Sequence, residues 1–190
     1  MKEDDSIWAK ETLEYTDQWT ELGVLTAEIC RLQKQEWSKN DADRNIEHYR
    51  CGAWRTFWGG RNSISNEHLK QCILLAASDS DPAMRRAILH DILKTTWLSD
   101  EQFQKVSNEL NDPSEKKIVD RYTLFRSLKK NDSSENLDRV VREGDSIVQR
   151  HVIDSYPLSR LTLEFLEEHG AVRAIRNLAR QVQRSSKPFE

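Results

Sequence analysis

Cysteine is scarce in this chain of 190 residues: Cys30, Cys51 and Cys72 are all there are. Their number is odd and none forms a CxxC pair. That argues against a disulfide framework or a structural zinc site and makes a reducing cytoplasm the expected setting. Proline and glycine are few, at four and six, so no long structureless linker is expected. The longest apolar run, Ile73–Ala77, falls far short of the roughly 20 residues that span a bilayer, and no membrane association is expected. The opening Met1-Lys2-Glu3-Asp4-Asp5 has neither the basic start nor the apolar stretch of a secretory signal. Sustained apolar–polar alternation, the mark of a half-buried strand, is missing throughout.

Catalytic signatures are absent too. There is no P-loop, dinucleotide fingerprint, Gly-x-Ser-x-Gly elbow or His-Glu-x-x-His. None of the five histidines follows a glutamate by three residues, which removes the di-iron bundle pattern. His48 and Cys51 lie one helical turn apart, but no second pair completes a metal site. His90-Asp91 and His151-x-x-Asp154 each offer a base with an orienting acid, and no nucleophile is linked to either. The expectation is a protein with no cofactor, no metal and no catalytic residue.

What the sequence does contain is helical periodicity and tryptophan. Six tryptophans argue against disorder. Trp19, Leu22, Leu25, Ile29 and Leu32 step by three or four and predict one long helix capped by Asp17, with residues 6–16 as a preceding helix or its first turns. A second helix is predicted after Asp41 or Asp43, carrying Ile46, Tyr49, Ala53 and Phe57 on one face and ending at Gly59-Gly60.

From residue 65 the pattern repeats. Ser65-x-Glu67-x-Leu69, Ser99-x-Glu101-x-Phe103 and Ser133-x-Glu135-x-Leu137 are spaced by 34 residues. Each places a capping serine, a first-turn acid and an apolar anchor at a helix start. A second series interleaves with the first. Asp81-Pro82, Asp112-Pro113 and Asp145-Ser146 each open a helix, followed five residues on by Arg86, Lys117 or Arg150 and seven on by Ile88, Val119 or Val152. A degenerate fourth copy runs from Ser159 to about Gln183. The repeating unit is a helical hairpin that cannot bury its apolar face alone, so neighbours must stack.

The Asp-Pro-x-x-[Arg/Lys]-[Arg/Lys]-x-[Ile/Val] openings at Asp81 and Asp112, with a weaker version at Asp145, resemble the second helix of HEAT-type repeats over residues 65–184. The resemblance implies an all-α, right-handed superhelix of stacked hairpins, in which turn aspartates and helix bases interact between adjacent repeats. It implies a surface that binds proteins or peptides, occasionally nucleic acid, and no reaction. On this reading the chain is one domain of about nine or ten helices. Residues 1–64 cap it, 65–184 form the repeats, and 185–190 are a tail.

Net charge is −3, but the ends differ: residues 1–30 carry eight acids against two lysines, and residues 171–190 carry five bases against one acid. Arg85, Arg86, Lys116, Lys117 and Arg150 occupy matching places on successive second helices. Arg173, Arg176, Arg180 and Arg184 form a stripe at spacings of three and four. These bases either pair with nearby acids or form a track for an acidic partner. Trp54 and Trp58, one turn apart, either pack against the first helix and the first repeat or stand exposed as a partner anchor. The candidate binding residues are therefore Arg86, Lys117, Arg150, Arg173, Arg176, Arg180, Trp54 and Trp58. The expected function is a non-enzymatic protein-interaction scaffold of adaptor, inhibitor or immunity type. The alternative is a DNA-binding or DNA-repair solenoid, against which a pI near 6.0 counts.

Overall fold

The capping signals translate directly into helix starts. In the structure, a computed structural model describing residues 3–185, Ser65, Ser99 and Ser133 each accept a backbone N–H from the third residue into a helix, and Asp81 and Asp145 do the same for first-turn N–H groups. Asp112 accepts from Ser114 N at 2.8 Å. Ser99 completes a capping box, with Gln102 Oε1 accepting from Ser99 N at 3.2 Å. The described residues form twelve helices and no strand, two or three helices more than the periodicity predicts. The surplus lies in the N-terminal third.

Two compact units divide the chain at Ile118/Val119, inside a helix. The first unit holds α1 (Glu3–Leu13), α2 (Asp17–Glu21), α3 (Ala27–Trp37), α4 (Ile46–Gly59), α5 (Asn66–Ser78), α6 (Pro82–Lys94), α7 (Asp100–Glu109) and the start of α8 (Pro113–Lys130). Within it α1 packs on α3 and α4, α4 on α6, and α5 on both α6 and α7. Its core runs from Leu13, Trp19 and Leu25 through Ala53 and Trp54 to Leu69, Leu75, Ile88, Leu89, Ile92 and Leu93. Each large aliphatic side chain so buried contributes about 1.5–3 kcal/mol relative to exposure.

The long helix predicted through Trp19, Leu22, Leu25, Ile29 and Leu32 is broken into α2 and α3. Gly23 adopts φ 75°, a left-handed conformation open to glycine at no steric cost. The Trp19 carbonyl then accepts from both Val24 N (2.9 Å) and Leu25 N (2.8 Å), closing α2 after five residues. The chain restarts at Thr26, whose hydroxyl caps α3. Rotated by this break, Leu32 is exposed rather than buried. The α4 start also shifts to Ile46, because Asp43 caps no helix: it accepts from Asn45 N at 2.9 Å and pairs with His48.

One buried charge knits this unit. Arg50 on α4 is almost wholly enclosed; its Nη1 lies 3.5 Å from the Leu13 and Glu14 carbonyls, and its Nη2 lies 3.6 Å from the buried Asp79 carboxylate. Glu14, at φ 58°, turns the chain out of α1 so that its carboxylate also reaches Arg50, at 3.5 Å. Burial raises the Asp79 pKa above the usual carboxylate value, with hydrogen bonding from Asp81 N and the charge of Arg50 opposing it.

The second unit holds the rest of α8 with α9 (Ser134–Glu143), α10 (Ser146–Ser155), α11 (Arg160–His169) and α12 (Arg173–Ser185). α9 packs on α10 and α11, and α12 on α10 and α11. Its core joins Leu124, Leu128, Leu137, Val140, Val148, Val152, Leu163, Leu166, Ile175 and Ala179. Gly144 and Gly170 end the first helices of its two hairpins. A Cβ at Gly144 would stand 2.6 Å from both the Val140 carbonyl and Val148 Cγ1, and one at Gly170 would stand 2.6 Å from the Leu166 carbonyl. Close helix approach therefore requires glycine at both.

Of the three predicted hairpin-core positions, Ile88 and Val152 are fully buried, but Val119 is only half-buried and its neighbour Ile118 is enclosed instead. In α8 the third position after the aspartate carries Glu115, where α6 and α10 have Met84 and Val148. The predicted tail, residues 185–190, lies outside the described residues apart from Ser185, the last residue of α12.

Candidate functional site

Contacts between successive second helices exist, through other residues than the spacing suggested. Arg85, four residues after Asp81, pairs with the buried Glu115 on α8. Arg121 on α8 pairs with Asp145, Nη2 to Oδ2 at 2.6 Å. Gln149, four residues after Asp145, donates from Nε2 to the Val141 carbonyl (2.9 Å) and accepts from Ala171 N through Oε1 (2.8 Å), seating the entry to α12. Positions four and five after the aspartate differ by about 100° around a helix. At Arg85 and Gln149 it is the fourth that faces the next hairpin, which leaves Arg86 outward. Arg86 and Lys117 are exposed and make no ion pair among the described residues. Arg150 pairs along its own helix with Asp154, Nε to Oδ2 at 2.6 Å, both side chains about half exposed.

α12 has the clearest two-faced character in the chain. Ile175 and Ala179 are buried, with Leu178 and Val182 packed beside them on the core of the second unit. At 100° per residue, Arg173, Asn177, Arg180 and Arg184 fall on the opposite side, and all four are exposed. Arg180 is held by Glu167 of α11, Nε to Oε1 at 2.7 Å. Arg176 turns along the flank, half-buried, and donates from Nη1 to the Gly170 carbonyl at 2.7 Å, capping the end of α11. Arg173 and Arg184 have no ion pair among the described residues.

The first turn of this helix is electrostatically unfavourable. It contains no acid, and Arg173 occupies its first position, where the positive end of the helix dipole disfavours a cation by about 0.3–1 kcal/mol.

No family model, curated protein or solved structure matches this chain.

The remaining sequence candidates resolve geometrically. Trp54 is fully buried and Trp58 nearly so; their rings stack with centroids 5.2 Å apart. Trp54 Nε1 donates to Asp91 Oδ2 at 3.1 Å, and Trp58 Nε1 to the Asp91 carbonyl (3.2 Å) and Thr95 Oγ1 (3.0 Å). The exposed-anchor alternative therefore has no surface to act through. These indoles bind α4 to α6, because a Trp N–H taken out of water needs an acceptor.

Asp91 is thus occupied by Trp54, and Asp154 by Arg150 rather than His151, whose Nδ1 lies 3.4 Å from Ser155 Oγ. His48 pairs with Asp43, and no group of three or more His, Cys, Asp or Glu side chains converges on a metal position among the described residues. Burial pushes the Cys72 thiol up to about 12, and burial with the nearby Asp5 charge raises Cys30; neither supplies a thiolate nucleophile near neutrality. No helix among the described residues is long and apolar enough to cross a membrane.

Proposed function

We propose that this chain is a non-catalytic protein-binding scaffold that holds an acidic partner against the arginine face of α12. The observation carrying this reading is Arg173: exposed, without an ion pair among the described residues, and set where it weakens its own helix. A cation that costs local stability and serves no internal contact points outward, to something negative that α12 meets. Arg184 lies on the same face, also exposed and without an ion pair among the described residues. An acidic protein surface fits better than a nucleic-acid backbone. Residues 119–190 hold 13 bases against 11 acids, and Arg121, Arg139, Arg150, Arg160 and Arg180 are engaged by acids of the same unit. Steep, salt-dependent phosphate binding calls for more uncommitted bases than that. The three thiols, all free, support a reducing cytoplasmic setting for such an adaptor or inhibitor.

The test is fluorescence anisotropy of a labelled poly-glutamate peptide, a DNA duplex and a DNA single strand against the full chain, at about 0.15 M salt, where the Debye length is about 8 Å. The peptide is expected to bind, and Arg173→Glu with Arg184→Glu is expected to weaken it at least about tenfold, a change of about 1.4 kcal/mol. Micromolar or tighter DNA binding, lost in the same variant, would replace this reading with the nucleic-acid one. Peptide binding unchanged in the variant would move the surface away from α12.

A further inference from the structure

Acids without an ion pair gather in the first thirty residues of the chain. Residues 1–30 have net charge −6. Several of these acids are spent internally: Asp5 pairs with Lys34, Asp17 with Lys10, and Glu14 with Arg50. Glu11 on α1, Glu21 at the end of α2 and Glu28 in the first turn of α3 are exposed, with no ion pair among the described residues. α12 presents the opposite arrangement. Its arginines stand among Ala174, Asn177 and Gln181, all exposed, so this face offers charge and hydrogen bonds but little apolar area. A partner for it is selected by electrostatic complementarity more than by burial.

We infer that the α12 face of one copy of this chain docks on the acidic α1–α3 surface of a second copy. This rests on the acidic-partner reading above and names the partner. Both halves of the contact are exposed helical surfaces of opposite sign, and on each some charges have no ion pair among the described residues: Arg173 and Arg184 on one, Glu11, Glu21 and Glu28 on the other. Because the two surfaces differ, the contact is heterologous, and such a contact continues past two copies unless the geometry closes a ring. With little apolar burial the contact is salt-labile, since a Debye length of about 8 Å at 0.15 M shrinks to about 3 Å at 1 M.

The experiment is sedimentation equilibrium of the full chain over about a hundredfold concentration range, at about 0.01 M and about 1 M salt. The expected result is a mass above the 22.3 kDa monomer that grows with concentration at low salt and returns to the monomer at high salt. Arg173→Glu/Arg184→Glu is expected to be monomeric at low salt, as is Glu11→Lys/Glu21→Lys/Glu28→Lys. Mixing these two variants is expected to restore association, because each then meets a surface of opposite sign. Circular dichroism spectra matching the parent protein confirm that both variants fold. A monomer at every concentration in low salt, association that survives the arginine reversals, or a mixture that stays monomeric overturns the inference. A monomeric parent protein that still binds poly-glutamate through Arg173 and Arg184 loses only the self-association; one that does neither loses both readings.

Discussion

Arg121 and Asp145 meet through a single carboxylate oxygen. Arg121 Nε and Nη2 donate to Asp145 Oδ2 at 2.8 and 2.6 Å, while Oδ1 accepts from Ile147 N (3.0 Å) and Val148 N (3.1 Å). One side chain thus caps α10 and ties it to α8. Partial burial pushes the Asp145 pKa up, but the Arg121 hydrogen bonds, the two helix N–H groups and the arginine charge outweigh it and hold the carboxyl below the usual range.

Substitution at Asp145 separates those two duties. Asparagine keeps the cap and removes the charge, whereas alanine removes both. Asp145→Ala is expected to cost about 1–2 kcal/mol, the upper range for a lost cap, and Asp145→Asn distinctly less. Urea unfolding curves for the two variants measure this, and equal losses would show that the cap contributes nothing.

The two structural aspartates set opposite pH dependences. Asp145 has a depressed folded pKa, so its contribution is present above the unfolded value of about 3.9 and is lost as pH falls through the lower folded value. Asp79 has a folded pKa raised by burial; its contribution is full below about 3.9 and is lost as pH rises through that raised value. Asp145→Asn is therefore expected to flatten the acid limb of the stability curve, and Asp79→Asn the limb just above it. Urea midpoints between about pH 2 and 7 provide the check.

Arg50 is expected to be among the costliest single positions. Arg50→Met leaves the buried Asp79 without its counter-charge, a type of change that costs about 3–5 kcal/mol. The double variant with Asp79→Leu should recover part of that loss. Thermal denaturation of both variants tests it, and additive losses would mean that the pair, at 3.6 Å, is not coupled.

Gly144→Ala drives a methyl group into the Val140 carbonyl and Val148. The expected cost is about 1–3 kcal/mol, the range for overpacking, with Gly170→Ala similar. Ala at Gly59, where no atom crowds the site, is the matched control and should be close to neutral or stabilising. Melting temperatures of the three variants decide the matter.

Ile118→Asp is expected to be far more damaging than Val119→Asp, because Ile118 is enclosed and Val119 half open. An unpaired charge in the core costs several kcal/mol. Soluble yield and denaturant midpoint report the difference; equal effects would place both residues in the core.

The sequence by itself determined the helical class, the hairpin starts at Ser65, Asp81, Ser99, Asp112, Ser133 and Asp145, and the two-faced character of α12. Each of these depends on interactions within one turn of helix or on a period along one segment, so neighbouring residues suffice to specify it. Only the tertiary structure decided that Trp54 and Trp58 are spent on Asp91 and Thr95, that Arg85 and Arg121 make the inter-hairpin pairs while Arg86 and Lys117 stay outward, and that Ile118 replaces Val119 in the core. Those outcomes depend on which side of a helix meets another element, and a rotation of one residue, about 100°, exchanges a paired base for a free one. The break at Gly23 stands between the two: the glycine permits a positive φ, but Trp19 seated in the core, with its carbonyl taking two N–H groups, is what selects it. Arg173 remains outward for the same tertiary reason. The packing of Ile175 and Ala179 on the second unit's core fixes the rotation of α12, and that rotation turns its uncompensated arginines towards solvent.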